Sequence, residues 1–424
     1  MANSTAPLTE AAAPAAVADE AAAASAERSL VLWLTNVSHA VNHFQNQMVA
    51  VLYPVIMAEL GFGYAQLGVL TAVRNFLGSG TQVIYGFLTP FVRRSRLLGI
   101  GNLVLSLGTL LSGFVGSYAS FLAARSVASM GSSAQHPVGS SLLAAYFPKN
   151  RGTVLSLNNS LANVGSLLAP VAAGLLLTVL TWRQIFVVVA FASLAMAVAY
   201  WFPHDRVGNG EAAPPSRRAR LAQGKASYLR VLRNRNMLVV SLVMMVGAAG
   251  RGEGVNQAYL GPHLVHDLAL PVALAGVALT VLQIGGIVGP VGFGWLSDRM
   301  SRKGVIQASL LLSALATWWL AWQGAYLPLL LLNLVVYGAV THSRNSLTQA
   351  LVADSISDED RDAAFSVYYF IGFISGPIWA LVTGFLMDAF GFATAFSVLA
   401  FSYLAGMLLM FFVEDPRPAA AGGR

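Results

Sequence analysis

The sequence predicts an all-α membrane protein: twelve transmembrane helices in two pseudo-symmetric six-helix bundles. Three observations lead there. Charged residues make up only 10% of the 424-residue chain and apolar ones 56%, too few polar side chains to cover a soluble surface of that size. Apolar windows of about 20 residues, the length of a helix that crosses hydrocarbon, recur along the whole chain. Finally, a shift of 208 residues lays Pro54 on Pro262, Glu59 on Asp267, Leu60 on Leu268, Gly68 on Gly276, Gly78 on Gly286 and Gly86 on Gly294. A repeat of that length points to two equivalent bundles facing each other across a pseudo-symmetry axis, the architecture of many transporters.

The windows fall at 31–57, 65–91, 97–117, 119–146, 153–180 and 182–202, then at 237–265, 272–297, 304–323, 326–352, 362–388 and 392–413. They are numbered spans 1 to 12. Residues 1–28 are Ala-rich, with Asp19 and Glu20 and no basic start before an apolar core, and read as a disordered tail and not as a cleaved signal. Residues 29–203 then form the first bundle, 204–235 a linker, 236–415 the second bundle and 416–424 a C-terminal tail. Basic loops stay on the cytoplasmic side. Arg93, Arg94 and Arg96, then Lys149 and Arg151, then Arg299, Arg302 and Lys303 occupy even-numbered loops, and the linker carries Arg217, Arg218, Arg220, Lys225, Arg230, Arg233 and Arg235. Both termini are therefore expected in the cytoplasm, with the chain in the cytoplasmic membrane.

The net charge of +7 follows from this topology and from contact with anionic lipid. It is no sign of nucleic acid. The chain has no Cys, which excludes disulfides, thiolate metal sites and cysteine nucleophiles.

In hydrocarbon a polar side chain must face protein or a water-filled cavity, so polar stripes at helical spacing mark cavity-lining helices. His39, Asn42, His43 and Asn46 share one face of span 1. Span 4 carries Arg125, Ser129, Ser132, Ser133, His136 and Ser140; span 7 carries Glu253, Asn256 and Gln257; span 10 carries Tyr337, Thr341, Arg344, Asn345 and Thr348. Spans 1, 4, 7 and 10 are the first and fourth of each half, so the stripes obey the repeat and predict one central cavity. The competing reading is hydrogen bonding that only holds the bundle together.

Arg74, Arg125, Arg251 and Arg344 lie well inside their spans, where insertion costs about 2.5–3.5 kcal/mol each, and Glu253 is the only acid at comparable depth. An excess of positive charge in the cavity favours an anionic or acid-bearing solute. Arg125, His136, Glu253 and Arg344 are expected as the charged heart of the site, with His39, Asn42, His43, Asn256, Gln257 and Asn345 lining it and Asn159, Asn163 and Arg74 as further candidates. A proton carrier is expected among Glu253 and the histidines. His39 and His43 have metal-ligand spacing, but with no Cys in the chain and no acid nearby on that helix no metal site is assigned, and no cofactor is expected.

Gly294-Trp-Leu-Ser-Asp298-Arg299-Met-Ser-Arg302-Lys303 resembles the cytoplasmic loop signature of the major facilitator superfamily, and the likeness extends over essentially the whole chain apart from tail and linker. The resemblance implies that Asp298, Arg299 and Arg302 belong to a gating charge network at the cytoplasmic helix ends. The copy between spans 2 and 3 keeps Gly86 and Leu88 but has Pro90 in place of the acid. Arg125 with Ser129 and Gly131 resembles the span 4 signature, whose Arg is tied to proton coupling in several families. Gly165-Ser-Leu-Leu-Ala169-Pro170-Val-Ala-Ala173-Gly174 resembles the span 5 signature of proton-driven exporters. Ser38-His39-Ala-Val-Asn42 and Gly131-Ser-Ser-Ala-Gln-His136-Pro137 are similar to the fosmidomycin-resistance type of exporter, which commonly places an acid where this chain has His43 and Val138.

The expected function is therefore secondary transport of a small organic, acidic solute by alternating access, as proton-coupled export, with proton symport into the cell as the alternative. The chain is expected to work as a monomer. A membrane enzyme would need a ligand or nucleophile cluster at a membrane face. His263, His266 and Asp267 are the only candidates, and read as a solvated helix end, so no enzymatic activity is expected.

Overall fold

The computed structural model describes residues 12–88, 92–147, 151–203, 226, 228–247, 255–357 and 360–415. The linker from 204 to 225 and residues 248–254, which include Arg251 and Glu253, lie outside the described residues. Span 1 is built from Ala12–Gln47 and Val49–Leu60, span 2 from Tyr64–Leu88 and span 3 from Arg94–Ser112. Span 4 comprises Tyr118–Ser132, a π-turn Gln135–Gly139 and Ser140–Tyr146; Arg151–Leu176 and Trp182–Ala199 complete the first half. In the second half span 7 comprises Arg235–Val246, Val255–Pro262 and a π-turn His263–Asp267. Spans 8, 9 and 10 are Val272–Arg299, Arg302–Trp322 and Leu327–Ser355. Arg361–Leu409 is one run interrupted at Gly391, whose φ of 81° and ψ of 171° separate span 11 from span 12; that left-handed conformation is open to glycine without a Cβ penalty.

Among the described residues, helix runs from Ala12 without a break into span 1. Alanine has the highest intrinsic helix propensity and needs no burial to extend a helix that packing has already nucleated.

Six described stretches are long and apolar enough to cross a membrane: Arg94–Ser112, Leu157–Leu176, Trp182–Ala199, Val272–Ser297, Arg302–Trp322 and Ser375–Phe412. These are spans 3, 5, 6, 8 and 9 and the joined spans 11 and 12. Spans 1, 4, 7 and 10 fall short because polar stripes and helix breaks interrupt their apolar runs. Span 2 also falls short, so four of the five helices outside this set are the ones expected to line the interior, and the fifth carries Arg74.

The repeat governs the packing. Span 2 packs on span 4 as span 8 packs on span 10, and span 3 packs on spans 4 and 6 as span 9 does on spans 10 and 12. Between the halves, span 5 packs on span 8 and span 2 on span 11. Paired glycines permit the close approaches. A Cβ at Gly68 would stand 2.7 Å from the Ala380 carbonyl oxygen of span 11, and one at Gly276, its equivalent 208 residues on, 2.5 Å from that of Pro170 in span 5.

Candidate functional site

The polar stripe of span 1 divides among three neighbours. Asn42 donates to the Ser132 carbonyl of span 4 at 3.0 Å, and Asn46 donates to Ser132 Oγ at 2.9 Å. His39 reaches span 5, where its Nδ1 lies 2.7 Å from Asn158 Oδ1, and His43 Nδ1 lies 3.0 Å from Ser166 Oγ. Asn46 Oδ1 also accepts from Arg74 of span 2 at 3.4 Å, and the same guanidinium donates to the Tyr53 hydroxyl at 3.0 Å. Spans 1, 2, 4 and 5 are therefore tied by side chains at mid-membrane depth, where an unmade hydrogen bond is expensive.

Span 4 breaks where Pro137, lacking an N–H, interrupts the α-helical ladder. The resulting π-turn, Gln135–Gly139, leaves His136 exposed on the inner side of the bundle and brings it beside the two histidines of span 1. Gln135 turns into the core, where it accepts from Ser38 Oγ at 3.1 Å and donates to the Thr35 carbonyl at 3.0 Å. Asn159 and Asn163 of span 5 are exposed; polar and mid-span, they face water and not lipid.

Arg125 is fully buried, its guanidinium 5.4 Å from the ring centroid of Phe186 in span 6. Nε and both terminal nitrogens have no hydrogen-bond partner among the described residues. Arg344 is also buried, 5.5 Å from the Tyr403 ring centroid in span 12 and against Gly247 of span 7. The two arginines thus lean on the outer helices of their own halves and do not meet. Asn345 Oδ1 accepts from Gln349 at 2.9 Å and from the Tyr368 hydroxyl at 3.3 Å, joining span 10 to span 11. Asn256 and Gln257 fall in the helix Val255–Pro262, with their side chains outside the description.

Contacts between the halves gather at the end away from the termini. Asp388, closing span 11, accepts from the backbone N–H groups of Tyr64 and Ala65 at 2.8 and 2.7 Å and so caps span 2 across the interface. His266 Nε2 lies 3.2 Å from the Pro54 carbonyl, and Thr280 donates to the Leu167 carbonyl at 3.4 Å. At the same end, within the first half, Glu59 pairs with Arg183 and accepts from Trp182 Nε1 at 2.5 Å. His263 pairs with Asp267 at 2.7 Å, so the cluster weighed as an enzyme candidate is a set of helix-end contacts.

At the opposite end Arg302 donates from Nε to Asp354 at 2.6 Å and from Nη1 to Ser297 Oγ at 3.1 Å, binding the loop between spans 8 and 9 to the end of span 10. Arg230 forms a two-pronged pair with Asp360 at 2.7 and 2.6 Å. Arg299 is exposed and stacks 4.0 Å over Trp295 of its own helix, forming no ion pair among the described residues. The Asp298 side chain lies outside the description. Sequence reasoning missed Asp354, Asp360, Asp388, Asn158 and Ser166. A lone acid at a helix end carries no signal of its partner, and Asn158 was hidden beside Asn159.

The family model described as Major Facilitator Superfamily matches residues 35–255 and 250–423, one match to each half. The chain belongs to the major facilitator superfamily. It is an integral membrane transporter of small solutes and not an enzyme. Among its superfamily relatives, the fosmidomycin resistance protein of Escherichia coli (strain K12) is 23% identical over 411 residues, 95% of this chain and 98% of that one. The probable sulfoacetate transporter SauU of Cupriavidus necator is 22% identical over 287 residues, 65% of this chain and 66% of that one. In fold the chain matches a bacterial homolog of the human lysosomal transporter Spinster, solved in an inward-facing and unoccupied conformation, with a TM-score of 0.75 at 17% identity over 91% of this chain and 95% of that one.

Proposed function

We propose that the protein exports a small organic anion across the cytoplasmic membrane by alternating access, in exchange for protons. The observation that carries the reading is the charge that the described residues of the first half leave uncompensated. Among them Arg125 is buried with no hydrogen-bond partner, and Arg74 holds neutral groups, Asn46 and Tyr53. A buried guanidinium without a counter-charge is costly, and an anionic solute entering between the halves supplies one. Arg344 across the axis supports the same sign of charge, and His43, His136, Asn159 and Asn163 offer polar contacts to the solute.

With the termini in the cytoplasm, the contacts at the far end correspond to a state closed to the outside. Glu253, Arg125 and His43 are the proton-coupling candidates. Coupling requires that proton and solute each alter the other's binding, most simply through one shared group. Export is supported by the span 5 signature and by the likeness to a drug-resistance protein. Uptake of an organic acid is the second reading, supported by the likeness to a probable sulfoacetate transporter. Liposomes holding a pH-sensitive dye and the purified protein test both. Anions should drive proton flux opposite to their own movement, and Arg125→Gln should abolish it. Flux with cations only refutes the charge argument, and flux parallel to the anion replaces export by symport.

A further inference from the structure

Three histidines converge where spans 1, 4 and 5 pack. Their ring centroids are 4.8 Å apart for His39 and His43, 5.0 Å for His39 and His136 and 5.7 Å for His43 and His136, with the rings near perpendicular. One ring nitrogen of each lies within 4.8 Å of the others. We propose that His39, His43 and His136 form a binding site for a divalent first-row transition-metal ion, of which Zn²⁺, Ni²⁺ and Co²⁺ are the natural candidates for a set of imidazoles.

The ligands are prepared for this. Asn158 donates through Nδ2 to Asn36 Oδ1 at 2.9 Å, which fixes its amide so that Oδ1 faces His39. An amide oxygen only accepts, so His39 carries its proton on Nδ1 and presents the lone pair of Nε2. That Nε2 is buried and has no partner among the described residues, in a side chain 2% exposed. His43 is held through Nδ1 by Ser166 Oγ at 3.0 Å, a hydroxyl that can accept from or donate to the ring. Outer hydrogen bonds that set tautomer and ring direction are the usual companions of metal-binding histidines. Packing of aromatic rings alone explains the perpendicular arrangement but not a buried ring nitrogen left without a partner among the described residues. An anion bound there would need a proton on His39 Nε2, which then has no acceptor until the anion arrives.

With metal–nitrogen distances of about 2.0–2.1 Å, tetrahedral ligand nitrogens stand about 3.3 Å apart, so each ring closes in by at most about 1 Å. His136 sits exposed on the π-turn, at the break in span 4. No Asp or Glu joins the cluster among the described residues. Three neutral nitrogens leave a fourth position for water or for an oxygen of a solute, as in metal sites that keep an open coordination position. The spacing of His39 and His43 alone gave only a pair. The third ligand comes from a different helix, which spacing along span 1 does not reveal. The inference does not depend on the direction of transport; with His43 as a metal ligand, proton coupling would fall to Glu253 or Arg125.

The test uses the full-length protein in detergent, purified with a tag free of histidine and stripped with EDTA. It is titrated with ZnCl₂ by calorimetry and with CoCl₂ by visible absorption. Expected are one Zn²⁺ per chain and intense Co²⁺ bands of a four- or five-coordinate nitrogen site. His136→Ala should weaken binding at least about 100-fold, and Ser166→Ala, which removes an outer hydrogen bond, by about 10-fold. His266→Ala, at the far end of the molecule, should leave binding unchanged. His136→Gln provides a polar replacement in case the alanine variant does not fold. Absence of stoichiometric binding, a six-coordinate aquo-type Co²⁺ spectrum, or wild-type affinity in the folded His136 variants would overturn the proposal.

Discussion

Removing the Asp388 carboxylate should release the closed end of the transporter, and the size of the effect follows from two hydrogen bonds. Asp388 accepts from the Tyr64 and Ala65 N–H groups at 2.8 and 2.7 Å, satisfying orphan donors at the start of span 2 and placing negative charge at the positive end of its dipole. These bonds join span 11 to span 2 across the two halves, so they exist only while that end is closed. Their whole free energy therefore biases the conformational equilibrium. Loss of an N-terminal cap costs about 0.5–2 kcal/mol, and at this exposed position a value of about 1 kcal/mol gives roughly a fivefold drop in the ratio of closed to open molecules for Asp388→Ala. Asparagine caps nearly as well as aspartate, so Asp388→Asn should retain most of the closed population. The absence of cysteine allows spin labels at Val179→Cys and Tyr326→Cys, which are 76% and 68% exposed at that end of opposite halves. Double electron–electron resonance should show the longer distance gaining weight in Asp388→Ala. An unchanged distribution in a folded Asp388→Ala protein, or equal shifts in the alanine and asparagine variants, refutes the reasoning.

At the other end Arg302 is 4% exposed against an Asp354 that is 25% exposed, and leaving one partner of such a pair unpaired costs about 3–5 kcal/mol. Arg302→Ala should lower the thermal midpoint in detergent steeply, and Arg302→Met with Asp354→Leu should recover most of the loss. Glu59 lies beyond the apolar window of span 1, and its carboxyl is held below its ordinary value by the hydrogen bond from Trp182 and then by Arg183. A depressed carboxylate adds stability that is complete above the unfolded-state value and disappears as pH falls through the folded-state value. The stability difference between wild type and Glu59→Gln should be constant near neutral pH and shrink on acidification below the ordinary carboxylate range. A difference that grows with acid refutes the assignment.

The fold was legible because membrane insertion imposes a strong pattern: apolar windows of fixed length, a charge bias in the loops and a repeat marked by glycines and prolines. Periodicity also located the stripes of spans 1 and 4. It did not show what each side chain meets. His39 and Asn42 lie on one face of one helix, yet one reaches Asn158 of span 5 and the other Ser132 of span 4, because three helices pack around that face. Arg125 and Arg344 were placed correctly inside the bundle but apart, each beside an aromatic ring of its own half. Residues 12–28 had low-complexity composition, which reads as disorder, while the alanines that create it also extend a helix.

The repeat survives where geometry requires it and fails where chemistry begins. Gly68 and Gly276 make equivalent close approaches across the axis. Within the halves, a Cβ at Gly78 would stand 2.8 Å from Ser129 Oγ of span 4, and one at its equivalent, Gly286, 3.0 Å from the His342 ring of span 10. Two halves that rock against each other need like surfaces at their contacts, since a side chain filling either gap would block closure on one side only. The interior has no such requirement. The position of His136 is occupied in the second half by the buried Arg344, while the first half gathers three imidazoles around His136. An asymmetric solute needs such a difference, because two identical halves would bind it equally well in two opposed orientations. The symmetric glycines therefore serve the motion, and under the proposed function the residues that break the repeat, His136 and Arg344 above all, are the ones that would distinguish one solute from another.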